Sequence, residues 1–221
     1  MKSWINFPDR CRNDSVITKS KIYDQAKVNS RLKEAFIEQV EKIIWRYKLS
    51  SSKLNIDSVD DLHEIQVIEL QLKKEDLNIG VLKVIDEAIL SPIIFLLNFQ
   101  GHFRYFLAYK TLSQNKKEAI LKSSYLNSEW VSVETTEKLT LSAELNMEAL
   151  YFWLIKLFIP YALKETNLES YVQIYEKILK LEREIHKLKS RLSKEKQFKK
   201  KVNINIELQE KEKELKSLIN G

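Results

Sequence analysis

The hydrophobic and polar positions of this chain change period several times, and each change marks an element. From Ser30 onward Leu32, Phe36, Val40, Ile43 or Ile44, and Tyr47 recur every three or four residues with charges between them. That spacing predicts one helix with a single core face, capped by Ser30 and ending near Lys48. Residues 1–29 show no sustained period and read as an arm or short irregular pieces. From Glu64 the period becomes two. Ile68, Leu70 and Leu72 share one face of a strand, and Ile65, Val67, Glu69, Gln71 and Lys73 share the other. The first face reads as core and the second as surface.

Leu77–Ile89 returns to helical spacing, with Asp76 or Asn78 as the cap and Gly80 as a weak point in the first turn. Ile93–Phe99 is a continuous apolar run, which fits a central strand covered on both faces. A strand, a helix and a strand in this order predict a parallel pair. The turn Gln100-Gly101-His102 then sends Phe103–Lys110 back antiparallel. A fourth strand is expected within Glu118–Tyr125. Residues 126–145 read mostly as loop, with short strand-like pieces near Trp130–Val133 and Leu139–Leu141. Asn146 caps an apolar helix, Met147–Ile159, that Pro160 ends or kinks. The fold class is therefore α/β (α+β): a small mixed sheet of about four strands with packed helices.

The tail has a different grammar. Tyr171, Ile174, Ile178, Leu181, Ile185, Leu188 and Leu192 alternate steps of three and four, a heptad seam. A second seam, Ile204, Leu208, Lys211, Leu215 and Leu218, is out of phase with the first. The break, placed within 197–205, predicts two antiparallel helices; one bent or stuttered helix is the alternative. The domains are thus residues 1–163, α/β, and 164–221, a helical hairpin or coiled coil. Ile178, Leu181, Ile185, Leu188 and Leu192 are the candidate partner-binding seam, through which the tail would pair with another protein or with a second copy.

Charge sharpens this division. Residues 1–163 hold 22 Lys and Arg against 21 Asp and Glu, whereas residues 164–221 hold 15 against 10. A polyanion partner is therefore to be sought at the tail. Lys194, Lys196, Lys199, Lys200 and Lys201 cluster around the break and are the candidate nucleic-acid-binding residues. The plainer reading is a solvated helix end rich in lysine. Cys11 is the one cysteine, so no internal disulfide forms, and a reducing compartment is expected. Neither a signal peptide nor an apolar run of about 20 residues is evident. The expected location is the cytoplasm, with no membrane partner.

Candidate chemistry is sparse. Glu69-x-Gln71-x-Lys73 puts a carboxylate, an amide and an ammonium on one strand face, with Asp57, Asp60 and Asp61 upstream. Restriction-type nucleases use a similar arrangement to hold a divalent metal such as Mg beside a charge that activates water. The alternative nuclease reading therefore rests on Glu69, Gln71, Lys73 and Asp60. A wet outer strand face explains the same residues. His63, His102 and His186 lack ligand-like spacing, and no glycine-rich loop exists to cradle a nucleotide. The main reading has no cofactor, no metal site and no catalytic residue.

Three segments together resemble a known bacterial family: KIIWRYKLS (Lys42–Ser50), HEIQVIELQLK (His63–Lys73) with VLKVIDEAI (Val81–Ile89), and KEKQFKKKVNINIELQ (Lys194–Gln209). The family is domain-of-unknown-function family 4391. The resemblance implies an α/β domain followed by helices, and a place beside DNA methyltransferases and helicases of restriction-like or antiphage systems. It carries over no catalytic residues. The functional expectation is an accessory, non-catalytic protein that binds a helicase or methyltransferase, and DNA at the basic bend.

Overall fold

A computed structural model describes residues 1, 3–26, 28–115 and 117–220. The chain divides into two compact units, Met1–Phe158 and Ile159–Gly221. The first unit opens with β1 (Trp4–Asn6), β2 (Arg12–Ile17), α1 (Lys19–Gln25) and α2 (Ser30–Gln39). There follow β3 (Val40–Ser50), the single turn α3 (Ser51–Leu54), β4 (Glu64–Leu72), α4 (Ile79–Ala88), β5 (Ile93–Phe99) and β6 (His102–Leu107). Five short strands come next: β7 (Lys110–Leu112), β8 (Ala119–Leu121), β9 (Leu126–Asn127), β10 (Val131–Ser132) and β11 (Lys138–Thr140). The unit closes with α5 (Met147–Lys156).

The main sheet has seven strands, in the order β10-β6-β5-β4-β3-β2, with β9 also paired to β6. Only β4 and β5 are parallel, and α4 makes the crossover between them. The remaining pairs in this sheet are antiparallel. The class is the mixed α/β fold read from the pattern, but the sheet is wider than four strands.

The largest correction concerns residues 40–50. The three-and-four spacing predicted a helix to Lys48, yet α2 stops at Gln39 and Val40–Ser50 is the strand β3. Val40, Ile43, Ile44, Trp45 and Tyr47 are β-branched or aromatic, types that lose side-chain freedom in a helix and pack well on a pleated sheet. Nine in-register partners on β4, from Val40–Leu72 to Ser50–Glu64, then hold the segment extended. Asn29, not Ser30, caps α2, its side chain accepting from the Leu32 N–H at 2.9 Å.

The second correction concerns Glu118–Tyr125. Only Ala119–Leu121 is a strand there, and it pairs with β7 in a separate ribbon. The N-terminal stretch read as irregular supplies instead the sheet's edge strand β2 and the small parallel pair of β1 with β11. Asn78 and Asn146 cap α4 and α5 as expected. Gly80 has a packing reason: a Cβ there would lie 2.5 Å from Leu32 Cδ2, so the glycine lets α2 and α4 approach.

Both faces of the sheet are covered. One face packs Ile43, Ile68, Leu70, Leu72, Phe95 and Leu97 against α1, α2 and α4. The other carries Ile65, Val67, Glu69, Leu96 and Tyr105, all buried. Here Tyr105 accepts from the Ile5 N–H at 3.1 Å and meets Phe158, while Phe7 packs on Tyr47. The odd face of β4, expected as surface, is thus a second core surface as far as Glu69.

The second unit is a helical hairpin of α6 (Leu168–Lys194) and α7 (Phe198–Asn220). Asn167 caps α6, accepting from the Ser170 N–H. Ile185 and Leu188 pack on Ile204 and Leu208, with Leu192 and Leu215 at the margins. Lys177–Glu214 at 3.1 Å and Lys211–Glu184 at 2.9 Å cross between the helices. The phase break in the heptads is therefore a reversal of direction, and it falls at residues 195–197.

Candidate functional site

The most charged place inside the sheet surrounds Glu69, and the register explains how it arises. Glu69 lies in one cross-strand row with Val16, Ile44, Leu96 and Tyr105. A carboxylate in such a row, only 2% exposed, needs partners, because an unpaired buried charge costs several kcal/mol.

Two facing irregularities supply them. Between Trp45 and Tyr47 the β3–β4 register slips, leaving Arg46 as an extra residue. Between Arg12 and Ser15 the β2–β3 register slips as well, and Asp14 there adopts φ +53°, a left-handed conformation that aspartate tolerates better than most residues. Bulges re-aim side chains out of strict alternation. Arg46 Nε accordingly donates to Glu69 Oε2 at 2.5 Å, and its Nη1 donates to Asp14 Oδ1 at 2.9 Å. Arg12 Nε donates to the other Asp14 oxygen.

The remaining oxygen of Glu69 accepts from Asn98 Nδ2 at 2.9 Å and, more weakly, from Gln71 Nε2 at 3.4 Å. Exposure rises outward, from the Glu69 side chain at 3% to Arg46 at 28% and Asp14 at 33%. Hydrogen bonds from Arg46 and then Arg12 hold the Asp14 carboxyl below its ordinary range. The same bond to Glu69, opposed by partial burial, pushes the Arg46 guanidinium up and keeps it charged.

The residues of the nuclease reading are only partly brought together. Glu69 and Gln71 are neighbours, but Lys73 lies beyond the end of β4 and donates to the Ile37 carbonyl at 2.8 Å. With Lys19, which donates to the Phe36 and Val40 carbonyls, it closes the C-terminal end of α2. Asp60 sits in the turn before β4, at φ +47°. Glu69 is five residues into that strand, roughly 16 Å along it from Glu64. Asp57 is held elsewhere: its backbone N–H donates to Leu145 and its carbonyl accepts from Met147. Both Glu69 oxygens already accept N–H donors, an arrangement that neutralises a carboxylate and does not suit a cation. Among the described residues, no group of three or more His, Cys, Asp or Glu is disposed to hold a metal ion.

A second buried polar cluster escaped the sequence reading. Lys110 Nζ donates to Asp86 Oδ1 at 2.8 Å, to the Ile89 carbonyl at 2.8 Å and, at 3.3 Å, to the Asp86 carbonyl. The Tyr125 hydroxyl donates to the other Asp86 oxygen. Tyr151 accepts from the Lys110 N–H at 2.9 Å and donates to the Ala108 carbonyl at 2.7 Å. Burial pushes Asp86 up and Lys110 down, each opposed by the other's charge. One signal was available: Asp86 follows Leu82 by four residues and so lies on the apolar face of α4.

On the hairpin, Ile185 and Leu188 of the candidate partner seam, with Leu192 at the margin, pack against Ile204 and Leu208 of α7. Ile178, Leu181, Ile185 and Leu188 are buried and Leu192 is half-buried. The free surface is elsewhere. Phe198, Val202 and Ile206 follow one another at four-residue intervals on α7 and are 82%, 41% and 52% exposed. At 100° per residue Val202 and Ile206 point about 120–160° away from Ile204 and Leu208, and Phe198 stands about 80–120° from them. Lys194, Lys196, Lys199, Lys200 and Lys201 surround the turn and are all exposed. Among the described residues none of the five takes part in an ion pair.

Comparison with known proteins adds one match. A family model described as "Domain of unknown function (DUF4391)" matches residues 5–215. No curated protein and no solved structure matches the chain. Among the described residues, no helix is long and apolar enough to cross a membrane.

Proposed function

The chain belongs to domain-of-unknown-function family 4391, and from that premise we propose that it is a non-catalytic accessory protein of a bacterial DNA restriction or antiphage defence system. It acts in the cytoplasm and docks on a helicase or methyltransferase of that system through α7. The observation that carries this reading is the exposed apolar stripe Phe198, Val202 and Ile206, which lies outside the seam that joins α7 to α6. A helix with a second apolar face is suited to lie against another surface. Lys199 beside the stripe and Lys213 one heptad beyond Ile206 give the matching surface its character: apolar at the centre, acidic at the rim. The Glu69 cluster supports the non-catalytic half of the reading, since its carboxylates are saturated by arginine and amide donors.

The test is isothermal titration of the full chain against the helicase and the methyltransferase encoded beside it. One of them should bind, and Val202→Ser with Ile206→Ser should weaken that binding tenfold or more without changing helix content. Glu69→Gln, if folded, should leave phage protection unchanged. Binding to neither protein sinks the docking claim. Metal-dependent DNA cleavage that Glu69→Gln abolishes sinks the non-catalytic one.

A further inference from the structure

The tip of the hairpin carries a cluster of lysines of which docking by the apolar stripe uses only Lys199. Residues 187–201 contain eight Lys or Arg and one acid, Glu195. Lys177, Lys189 and Lys211 are matched by carboxylates across the helix pair. From Lys194 to Lys201 that matching stops. Glu195 accepts from the Lys196 and Gln197 backbone N–H groups, so the single acid is engaged in the turn itself. Five exposed ammonium groups within eight residues repel one another; Glu195 draws Lys200 and Lys201, but among the described residues none of the five closes an ion pair. The aromatic ring of Phe198, 82% exposed, stands among them as the first residue of α7.

We propose that this tip binds single-stranded nucleic acid, the lysines contacting phosphates and Phe198 stacking on a base. Lysine alone fits any polyanion, and the geometry narrows the choice. Lys199, Lys200 and Lys201 are consecutive in a helix and point about 100° apart, so they cannot all face one flat surface such as a lipid headgroup layer. A flexible strand can bend around the tip and meet all three. An exposed aromatic ring among phosphate-binding cations is the arrangement by which single strands are held without regard to sequence, because every base has a face to stack. A continuous duplex keeps its bases in the stack and offers Phe198 none. This inference shares Phe198 and Lys199 with the docking reading, and Val202 and Ile206, which take no part in it, separate the two.

The experiment is fluorescence anisotropy of a labelled mixed-sequence 20-mer, as a single strand and as a duplex, titrated with the full chain over a range of salt. Single strand should bind at least tenfold tighter than duplex. For five phosphate contacts the log-log salt slope should be about −3.5. Lys199→Ala, Lys200→Ala and Lys201→Ala together should flatten that slope by about 2. Phe198→Ala should weaken binding tenfold or more while leaving the slope unchanged. Val202→Ser with Ile206→Ser should change it less than twofold, which separates this proposal from the docking one. Circular dichroism of each variant confirms that the helices persist. The proposal is overturned by no binding, by salt-independent binding, by equal affinity for duplex, by an unchanged affinity in Phe198→Ala, or by binding to vesicles containing phosphatidylserine but not to the oligonucleotide.

Discussion

Replacing Lys110 by Met tests how this fold tolerates charge inside it. Met roughly preserves the volume of the lysine stem, so the perturbation is mainly electrostatic. It removes the one cation beside Asp86 and the donor to the Ile89 carbonyl. Breaking one partner of a buried pair costs about 3–5 kcal/mol, and an orphaned carbonyl adds on the order of 1. A loss of about 4 kcal/mol is a large part of the roughly 5–15 kcal/mol that stabilises a domain. With an m-value of about 2 kcal/mol/M, the urea midpoint should fall by about 2 M. All four tryptophans, Trp4, Trp45, Trp130 and Trp153, lie within Met1–Phe158, so their fluorescence follows this unit.

The pH dependence is the stricter check. Burial already pushes Asp86 up, and the charge of Lys110 is the largest influence opposing that shift. Without Lys110 the folded pKa of Asp86 rises further above its unfolded value of about 4. A group raised in the folded state contributes stability below its unfolded pKa and loses it as pH climbs through the folded value. The penalty of Lys110→Met should therefore be smallest near pH 4 and grow toward pH 8. Asp86→Leu combined with Lys110→Met should recover most of the loss, since replacing a buried pair by apolar groups is often neutral. A penalty below 1 kcal/mol, or one that is the same at pH 4 and pH 8, would refute the assignment of Asp86 and Lys110 as a buried charged pair.

Three further outcomes follow from the geometry. In a double-mutant cycle on urea midpoints, Arg46→Met and Glu69→Gln should show a coupling of about 2 kcal/mol, between surface and fully buried pairs because Arg46 is partly exposed; additivity would mean the contact carries no energy. Cys11 is buried and burial raises its thiol pKa, so at pH 8 a thiol reagent should label it slowly and faster as urea is added; stoichiometric labelling within seconds in buffer would place the thiol at the surface. Leu188→Ala should destabilise the hairpin by about 2–3 kcal/mol, read as a lower melting point of the helical dichroism signal, whereas a substitution with no effect would show that the seam with Ile204 and Leu208 is not packed.

The parts of the fold that could be read from the sequence are those where one period ran without competition. Ile68, Leu70 and Leu72, the run Ile93–Phe99 and the α4 face each admitted one explanation and formed the expected element, and of the two readings of the out-of-phase tail seams the antiparallel pair formed. Residues 40–50 did not. Their apolar spacing satisfies a helix, while their β-branched and aromatic composition favours a strand, and pairing with β4 decided between them. Long-range pairing also explains β2 and β1, whose residues are largely polar or few and take their extended form from β3 and β11. The Glu69 cluster was half visible: Glu69 and Gln71 were singled out, but Arg46 and Asp14 reach them only through two slips of register. No local pattern announces a bulge in the middle of an apolar strand.

That history bears on where activity can reside. A buried carboxylate in an apolar row is first a folding problem, and the bulges at Asp14 and Arg46 resolve it by placing a guanidinium between two acids across three strands. Every strong acceptor of Glu69 is then engaged, and Lys73 is spent on the end of α2. The buried charges Glu69, Asp86 and Lys110 thus have partners inside the fold, and those partners explain their presence. The tip of the hairpin is the reverse case. Its five lysines crowd one another at close range with one acid, Glu195, among them, and the ring of Phe198 is left in water beside them. Neither feature belongs to the packed seam of the hairpin, and both are what the proposed binding of a nucleic-acid strand would use.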